Sequence, residues 1–176
     1  MPPGFRYQAE FLTPGEEREL LGHIEKTSWS EVRMHGVVAK RRVAHYGLKY
    51  AYEGRQAEPG PPIPEYLLAV RARLAAWAEV QPDDLVEALI TEYAPGAGIG
   101  WHRDAPMFGI VAAVSLAGAV RMRFRRVQDP GGPKVETLLE PRSAYLLAGS
   151  VRWQWQHHIP SAKELRYSVT FRTSRR

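Results

Sequence analysis

Trp101-His102-Arg103-Asp104 and, some fifty residues later, Trp155-Gln156-His157-His158 carry the residues of this chain best suited to bind a metal. A His-x-Asp pair followed at long range by one more His is the ligand set of a mononuclear iron(II) site. Two imidazoles and one carboxylate take one face of the metal and leave the rest for a cosubstrate and oxygen. On a strand, side chains two apart point the same way, so His102 and Asp104 can converge while Trp101 and Arg103 face away. A chance, solvated pair is the competing reading of so short a motif, and the surroundings must decide. Along Val151–His157, read as a strand, the odd positions Trp153, Trp155 and His157 form the apolar face. His157 is therefore the inward ligand and His158 lies on the polar face.

The last strand adds a second constellation. In Arg166-Tyr167-Ser168-Val169-Thr170-Phe171-Arg172, one face is apolar (Tyr167, Val169, Phe171) and the other is polar (Arg166, Ser168, Thr170, Arg172). The polar face is either a solvated exterior or the lining of a cavity. Six residues of strand span about 20 Å, so the two long arginines reaching toward each other leave room for a short dicarboxylate. Guanidinium suits carboxylate through paired hydrogen bonds.

What must position these groups is one domain's worth of chain. With 176 residues, 44% of them hydrophobic, the chain can bury a core, and it is short for two domains. There is no cysteine, which excludes disulfides, zinc-thiolate sites and thiol nucleophiles and leaves histidine and carboxylates as metal ligands. No apolar run resembles a signal peptide or a membrane span, so no membrane association is expected and the expected location is cytoplasmic. The net charge is +5 with a pI near 9.6. That balance, rich in arginine, favours a polyanionic partner such as nucleic acid.

Thr13-Pro14-Gly15-Glu16 starts a helix, with Thr13 as cap and Glu16 three on; it should end near Lys26. Residues 29–52 are strand-rich and basic. Tyr46, Tyr50 and Tyr52 share a face if this strand is continuous, either as a base-stacking row beside Arg41 and Arg42 or as a sheet face packed on the core. The proline-rich run 57–64 is a stiff linker, and Pro64 opens a second helix. From Val86 onward short strands and turns alternate: 89–93, 110–116, 120–125, 135–139, 143–147, 151–157 and 166–172. About seven or eight short strands at regular spacing argue a jelly-roll double sheet whose mouth can hold a ligand. The fold class is thus mainly β with flanking helices (α+β).

Taken together, Leu89-Ile90-Thr91-Glu92-Tyr93-Ala94-Pro95-Gly96, His102-x-Asp104, Trp155-x-His157-x-Ile159-Pro160 and Arg166–Arg172 resemble the AlkB family of iron(II)/2-oxoglutarate dioxygenases. The likeness covers residues 85–176 closely and 29–52 loosely. It implies a double-stranded β-helix core (85–176) behind an N-terminal part (1–84) of two supporting helices and a substrate-recognition lid, all in one domain and one monomer. It implies iron(II) on His102, Asp104 and His157, with O2 as the further reactant. It also implies 2-oxoglutarate held by Tyr93, Arg166 and Arg172, with Thr91 and Ser168 standing where the family often has asparagine. The implied reaction couples decarboxylation of 2-oxoglutarate to hydroxylation of an N-methyl group on a base in DNA or RNA, with loss of formaldehyde. Tyr46, Tyr50, Tyr52 and Trp101 are then candidate stacking partners for an unstacked base, and Arg41 and Arg42 candidate phosphate contacts. The alternatives are the same chemistry on a protein or small molecule, and a non-catalytic nucleic-acid binder on the same fold.

Overall fold

The computed structural model describes residues 1–34, 37–51 and 56–175. In chain order the elements are β1 (Phe5–Gln8), α1 (Pro14–Ile24), β2 (Ser30–Met34), β3 (Val37–Ala51), β4 (Gln56–Pro59), α2 (Leu68–Ala78), β5 (Leu85–Tyr93), β6 (Ile99–His102) and β7 (Phe108–Ala117). There follow β8 (Val120–Arg126), β9 (Val135–Leu139), β10 (Ala144–Leu147), α3 (Ser150–Gln154), β11 (Trp155–Ile159) and β12 (Arg166–Ser174).

The strands form two antiparallel sheets. The larger runs β1-β10-β7-β12-β5-β3-β2 with β4 attached to β3; the smaller runs β6-β11-β8-β9. From β5 to β8, consecutive strands alternate between the two sheets, and β10, β11 and β12 alternate again. The result is the expected double-stranded β-helix, mainly β with flanking helices. Among the described residues no helix is long and apolar enough to cross a membrane.

Strand parity divides the core in two. Ala112, Val114 and Leu116 of β7 and Tyr167, Val169 and Phe171 of β12 meet Leu20 and Ile24 of α1 and Leu74 of α2. On the opposite face, Val111, Ala113, Tyr93, Tyr145 and Leu147 meet Met122, Phe124, Trp155 and Ile159 of the smaller sheet. The polar face of β12 lies on this second side, enclosed between the sheets rather than solvated: Arg166, Ser168 and Thr170 are all buried.

Local signals account for the supports. The Thr13 hydroxyl accepts from the Glu16 backbone at 3.2 Å, and the Glu16 carboxylate accepts from the Thr13 backbone at 2.6 Å. This is the capping box, and α1 ends at Ile24, a turn's fraction before Lys26. The proline-rich run is not wholly linker, because Gln56–Pro59 pairs with β3 as an edge strand, where a missing N–H is tolerated.

Two expectations about strands need correction. Val151–His157 is not one strand: Ser150–Gln154 is helical, and the strand begins at Trp155. Trp153 therefore does not share a face with His157, although Trp155, His157 and Ile159 do. The tyrosine segment is not one continuous sheet face either. β3 pairs with β5 as far as Gly47 and with β4 from Leu48 onward. Gly47 has φ +74°, and a Cβ there would collide with the Val86 carbonyl, so only glycine fits the switch of partner.

Candidate metal and cosubstrate site

His102 is the last residue of β6 and His157 the middle residue of β11, and the two are directly opposed across the pair. Asp104 lies just beyond the end of β6, so it reaches the histidines from a loop, not from the strand alternation expected for it. One potential ligand atom from each of His102, Asp104 and His157 lies within 4.8 Å of the other two. The imidazole centroids are 4.2 Å apart, with rings inclined at 59°.

The approach of β6 to β11 follows from the turn before it. Gly96 donates to the Ala162 carbonyl at 2.8 Å, and Ala162 donates back to Ala97 at 2.7 Å. Gly98 then passes so close to the Ile159 carbonyl that a Cβ would lie 2.6 Å from it. The Ala94-Pro95-Gly96 turn and the Ile159-Pro160 segment, far apart in sequence, are thus one structural unit.

Each ligand is oriented by a second group. His102 Nδ1 lies 2.8 Å from the Gly100 carbonyl, which places its proton there and leaves Nε2 to coordinate. Arg172 donates to Asp104 Oδ1 twice, from Nε at 3.0 Å and Nη2 at 2.6 Å. Asp104 Oδ2 is buried with no hydrogen-bond partner and stands 3.7 Å from His157 Nε2. Burial pushes His157 down to about 3, and neighbouring His102 works the same way, so its imidazole is an uncharged donor at neutral pH. Burial disfavours the Asp104 carboxylate, but the Arg172 guanidinium beside it holds it well below the usual carboxylate range. A buried orphan carboxylate oxygen facing neutral imidazoles is the donor set an iron(II) ion fits.

The loop after Asp104 is pinned by Arg152, which is 3% exposed. It donates to the carbonyls of Gly109, Ala105 and Phe108 at 2.9, 2.7 and 2.8 Å. The helical turn of α3 is what sends Arg152 inward.

A cavity of about 130 Å³ opens on the three ligands, and Thr91, Tyr93, Ser168 and Arg172 line it. Tyr93 is the cross-strand partner of Arg166, and Thr91 that of Ser168. The motifs of β5 and β12 therefore face one another residue for residue. Arg166 is completely buried, its Nε donates to Ser115 Oγ at 2.9 Å, and its guanidinium lies 4.9 Å over the Tyr93 ring. Nη1 and Nη2 have no partner. An uncompensated buried charge costs roughly 3–5 kcal/mol, so a fold that keeps one presents it to an anion. The two free N–H edges fit the distal carboxylate of 2-oxoglutarate in two-pronged fashion. Ser115 and Tyr145, which complete this corner, gave no signal in the sequence beyond being polar positions in apolar strands.

Arg172 does not share that task in the expected way. Besides Asp104 it binds Glu87 Oε2 from Nη1 at 2.5 Å. Burial works against its cation, and Glu87 and Asp104 more than offset this, keeping it charged far beyond the ordinary range.

The wall formed by β2 and β3 turns Arg41 toward the cavity and Arg42 and Tyr46 away from it. Val43 and His45 are cross-strand partners of Thr91 and Leu89, so odd positions of β3 face the cavity, and Arg41 lies with them. Arg41 Nη1 lies 3.4 Å from the Gly98 carbonyl, at the start of β6. Arg42 is on the other face, paired with Glu92 through two 2.9 Å bonds and stacked on Trp29. Tyr46 also points away, toward the helical core. Trp101 lies on the outer face of the smaller sheet, stacked on His158 at 5.0 Å and beneath the Arg125 guanidinium at 4.5 Å. The Tyr50 side chain and all of Tyr52 lie outside the described residues.

The fold and the His/Asp/His cluster define a mononuclear iron oxygenase of the double-stranded β-helix class. Comparison with known proteins agrees. The profile of the 2OG-Fe(II) oxygenase superfamily matches residues 4–173, and the chain belongs to this family. Among its relatives are an Arabidopsis thaliana protein named alkylated DNA repair protein ALKBH8 homolog and the mouse tRNA (carboxymethyluridine(34)-5-O)-methyltransferase ALKBH8. The first is 28% identical over 99% of this chain and the second 29% over 93%. The chain spans 56% of the first relative's length and 25% of the second's. The solved structure of OsALKBH1 superposes with a TM-score of 0.74 at 17% identity, covering 98% of this chain and 99% of that one. A Pseudomonas putida prolyl-4-hydroxylase superposes at 0.64, also at 17% identity, covering 98% and 93%. The protein is a 2OG-Fe(II) oxygenase similar to AlkB-type proteins, and iron(II), 2-oxoglutarate and O2 are the metal, cosubstrate and oxidant its family uses.

Proposed function

We propose that this dioxygenase oxidatively demethylates N-alkylated bases in DNA or RNA. The observation that carries the chemistry is the convergence of His102, Asp104 and His157, together with the buried guanidinium of Arg166 whose Nη1 and Nη2 have no hydrogen-bond partner. The net charge of +5, Arg41 at the cavity wall and the AlkB-like relatives support a nucleic-acid substrate.

His102, Asp104 and His157 would hold the iron, and Arg166 with Tyr93 would fix the far end of the cosubstrate. Thr91 and Ser168 line the path between. When bound, iron would supply the centre at which O2 oxidises both partners, one oxygen atom entering succinate as 2-oxoglutarate loses carbon dioxide and the other hydroxylating an N-methyl group, whose carbon then leaves as formaldehyde. The chain's own contribution is orientation and exclusion of water: Val111, Met122, Leu147 and Ile159 close the cavity with apolar surface. Reaching the iron requires an unstacked base, so single-stranded substrates should be preferred.

The experiment is a survey of oligonucleotides carrying defined methyl lesions, read by mass loss and succinate release. Turnover of 2-oxoglutarate with no alkylated base demethylated would remove the substrate half of the reading. It would favour the second one, hydroxylation of a protein or small molecule. That reading gains from one observation: Arg42, Tyr46 and Trp101, all suited to a nucleic acid, face away from the cavity.

A further inference from the structure

Two arginines six residues apart project from one face of β12, and the cosubstrate has two carboxylates. Something must decide which guanidinium takes which charge. Arg166 has no carboxylate partner among the described residues, whereas Arg172 has two. The extra one is Glu87, a carboxylate 1% exposed on β5 and the direct cross-strand partner of Arg172. Its Oε2 binds Arg172, while its Oε1 faces His45 Nδ1 at 3.5 Å, a contact that is an ion pair only when the imidazole is protonated. With Glu87 at Nη1, the Nε and Nη2 edge of Arg172 is turned to Asp104 Oδ1 alone, and Oδ2 is left facing His157.

Resting on the oxygenase reading above, we infer that Glu87 is a positioning residue that sorts the two guanidiniums. It neutralises Arg172 and commits it to orienting Asp104, so that Arg166 alone receives the distal carboxylate. The charges support this. Glu87 and Asp104 offset Arg166 and Arg172, while Arg152 and Arg41 add further positive charge around the ligands. Without Glu87 that positive excess grows by one. In a buried site that excess repels the metal and attracts the dianion, so the two affinities move in opposite directions.

The test uses the intact protein, metal-free, titrated with manganese(II) in a calorimeter and then, at saturating manganese(II), with 2-oxoglutarate. Glu87→Gln should weaken manganese(II) binding roughly 10-fold or more, the effect expected of a group orienting a ligand. The same variant should bind 2-oxoglutarate more tightly, and Glu87→Asp should return the cosubstrate affinity toward wild type. Loss of both affinities together, or no change in either, would overturn the assignment. Glu87→Gln combined with Arg172→Met replaces the buried ion pair by neutral groups and guards against a fold lost to an unpaired cation. This double variant should bind 2-oxoglutarate within about threefold of wild type, since only Arg166 holds the distal carboxylate. A loss far larger than that would show Arg172 to be a direct holder and overturn the sorting role. A wild type that binds neither manganese(II) nor 2-oxoglutarate would instead remove the oxygenase reading on which the inference stands.

Discussion

The strands around the metal and the wall opposite them obey the same alternation, yet they answer differently to sequence reading. On β5 and β12, Tyr93 opposes Arg166, Thr91 opposes Ser168 and Glu87 opposes Arg172, and Thr91, Tyr93, Ser168 and Arg172 line one chamber. On β3, the conspicuous residues Arg42 and Tyr46 occupy the outward parity, and the inward positions are Arg41, Val43 and His45. The difference teaches that buried polar residues on an otherwise apolar strand report a site, because burial without a partner is costly. Exposed basic and aromatic residues report only that a surface exists.

The largest expected effect is at the metal. Asp104→Ala removes a ligand and leaves Arg172 with Glu87 alone. Manganese(II) affinity should fall by more than roughly 100-fold, beyond what loss of an orienting partner causes, and succinate release should become undetectable. Next, Arg166→Met should raise the dissociation constant for 2-oxoglutarate by about 100-fold, given roughly 1.5–3 kcal/mol for each hydrogen bond to a charged group. Metal affinity should not fall, because one positive charge leaves the buried site. The metal-free variant should be more stable than wild type by chemical denaturation, because a buried charge without a counterion is gone.

A smaller effect separates the two sides of β3. Arg41→Gln should raise KM for a methylated oligonucleotide severalfold and leave the 2-oxoglutarate KM unchanged. Arg42→Gln should alter neither, since Arg42 lies with Glu92 on the face of β3 turned away from the cavity. If Arg42→Gln had the larger effect on the oligonucleotide KM, the contrast between the two faces would fail.

Much of the core was legible because its signals are local or periodic. The alternation of apolar and arginine positions from Val120 to Arg125 appears as buried and outward positions in turn. Thr13 caps its helix through a four-residue motif. His157 was singled out by a parity argument that began one helical turn too early, and it survived because Trp155, His157 and Ile159 still share a face. Arg152 and Glu87 were not legible. Arg152 reads as a charged residue in a strand until α3 turns it onto three loop carbonyls. Glu87 reads as a solvated carboxylate until β12 sets Arg172 against it.

Sequence alone determined the donor types, the inward parity of His157 and the absence of thiol chemistry, since residue identity and two-residue periodicity need no knowledge of neighbours. Only the tertiary structure decided how the charges pair. Arg166 ends beside a hydroxyl and a ring, Arg172 beside two carboxylates, and nothing in their shared strand distinguishes them. The distinction comes from which strand each one faces and at which register, a property of long-range pairing that composition and spacing do not encode.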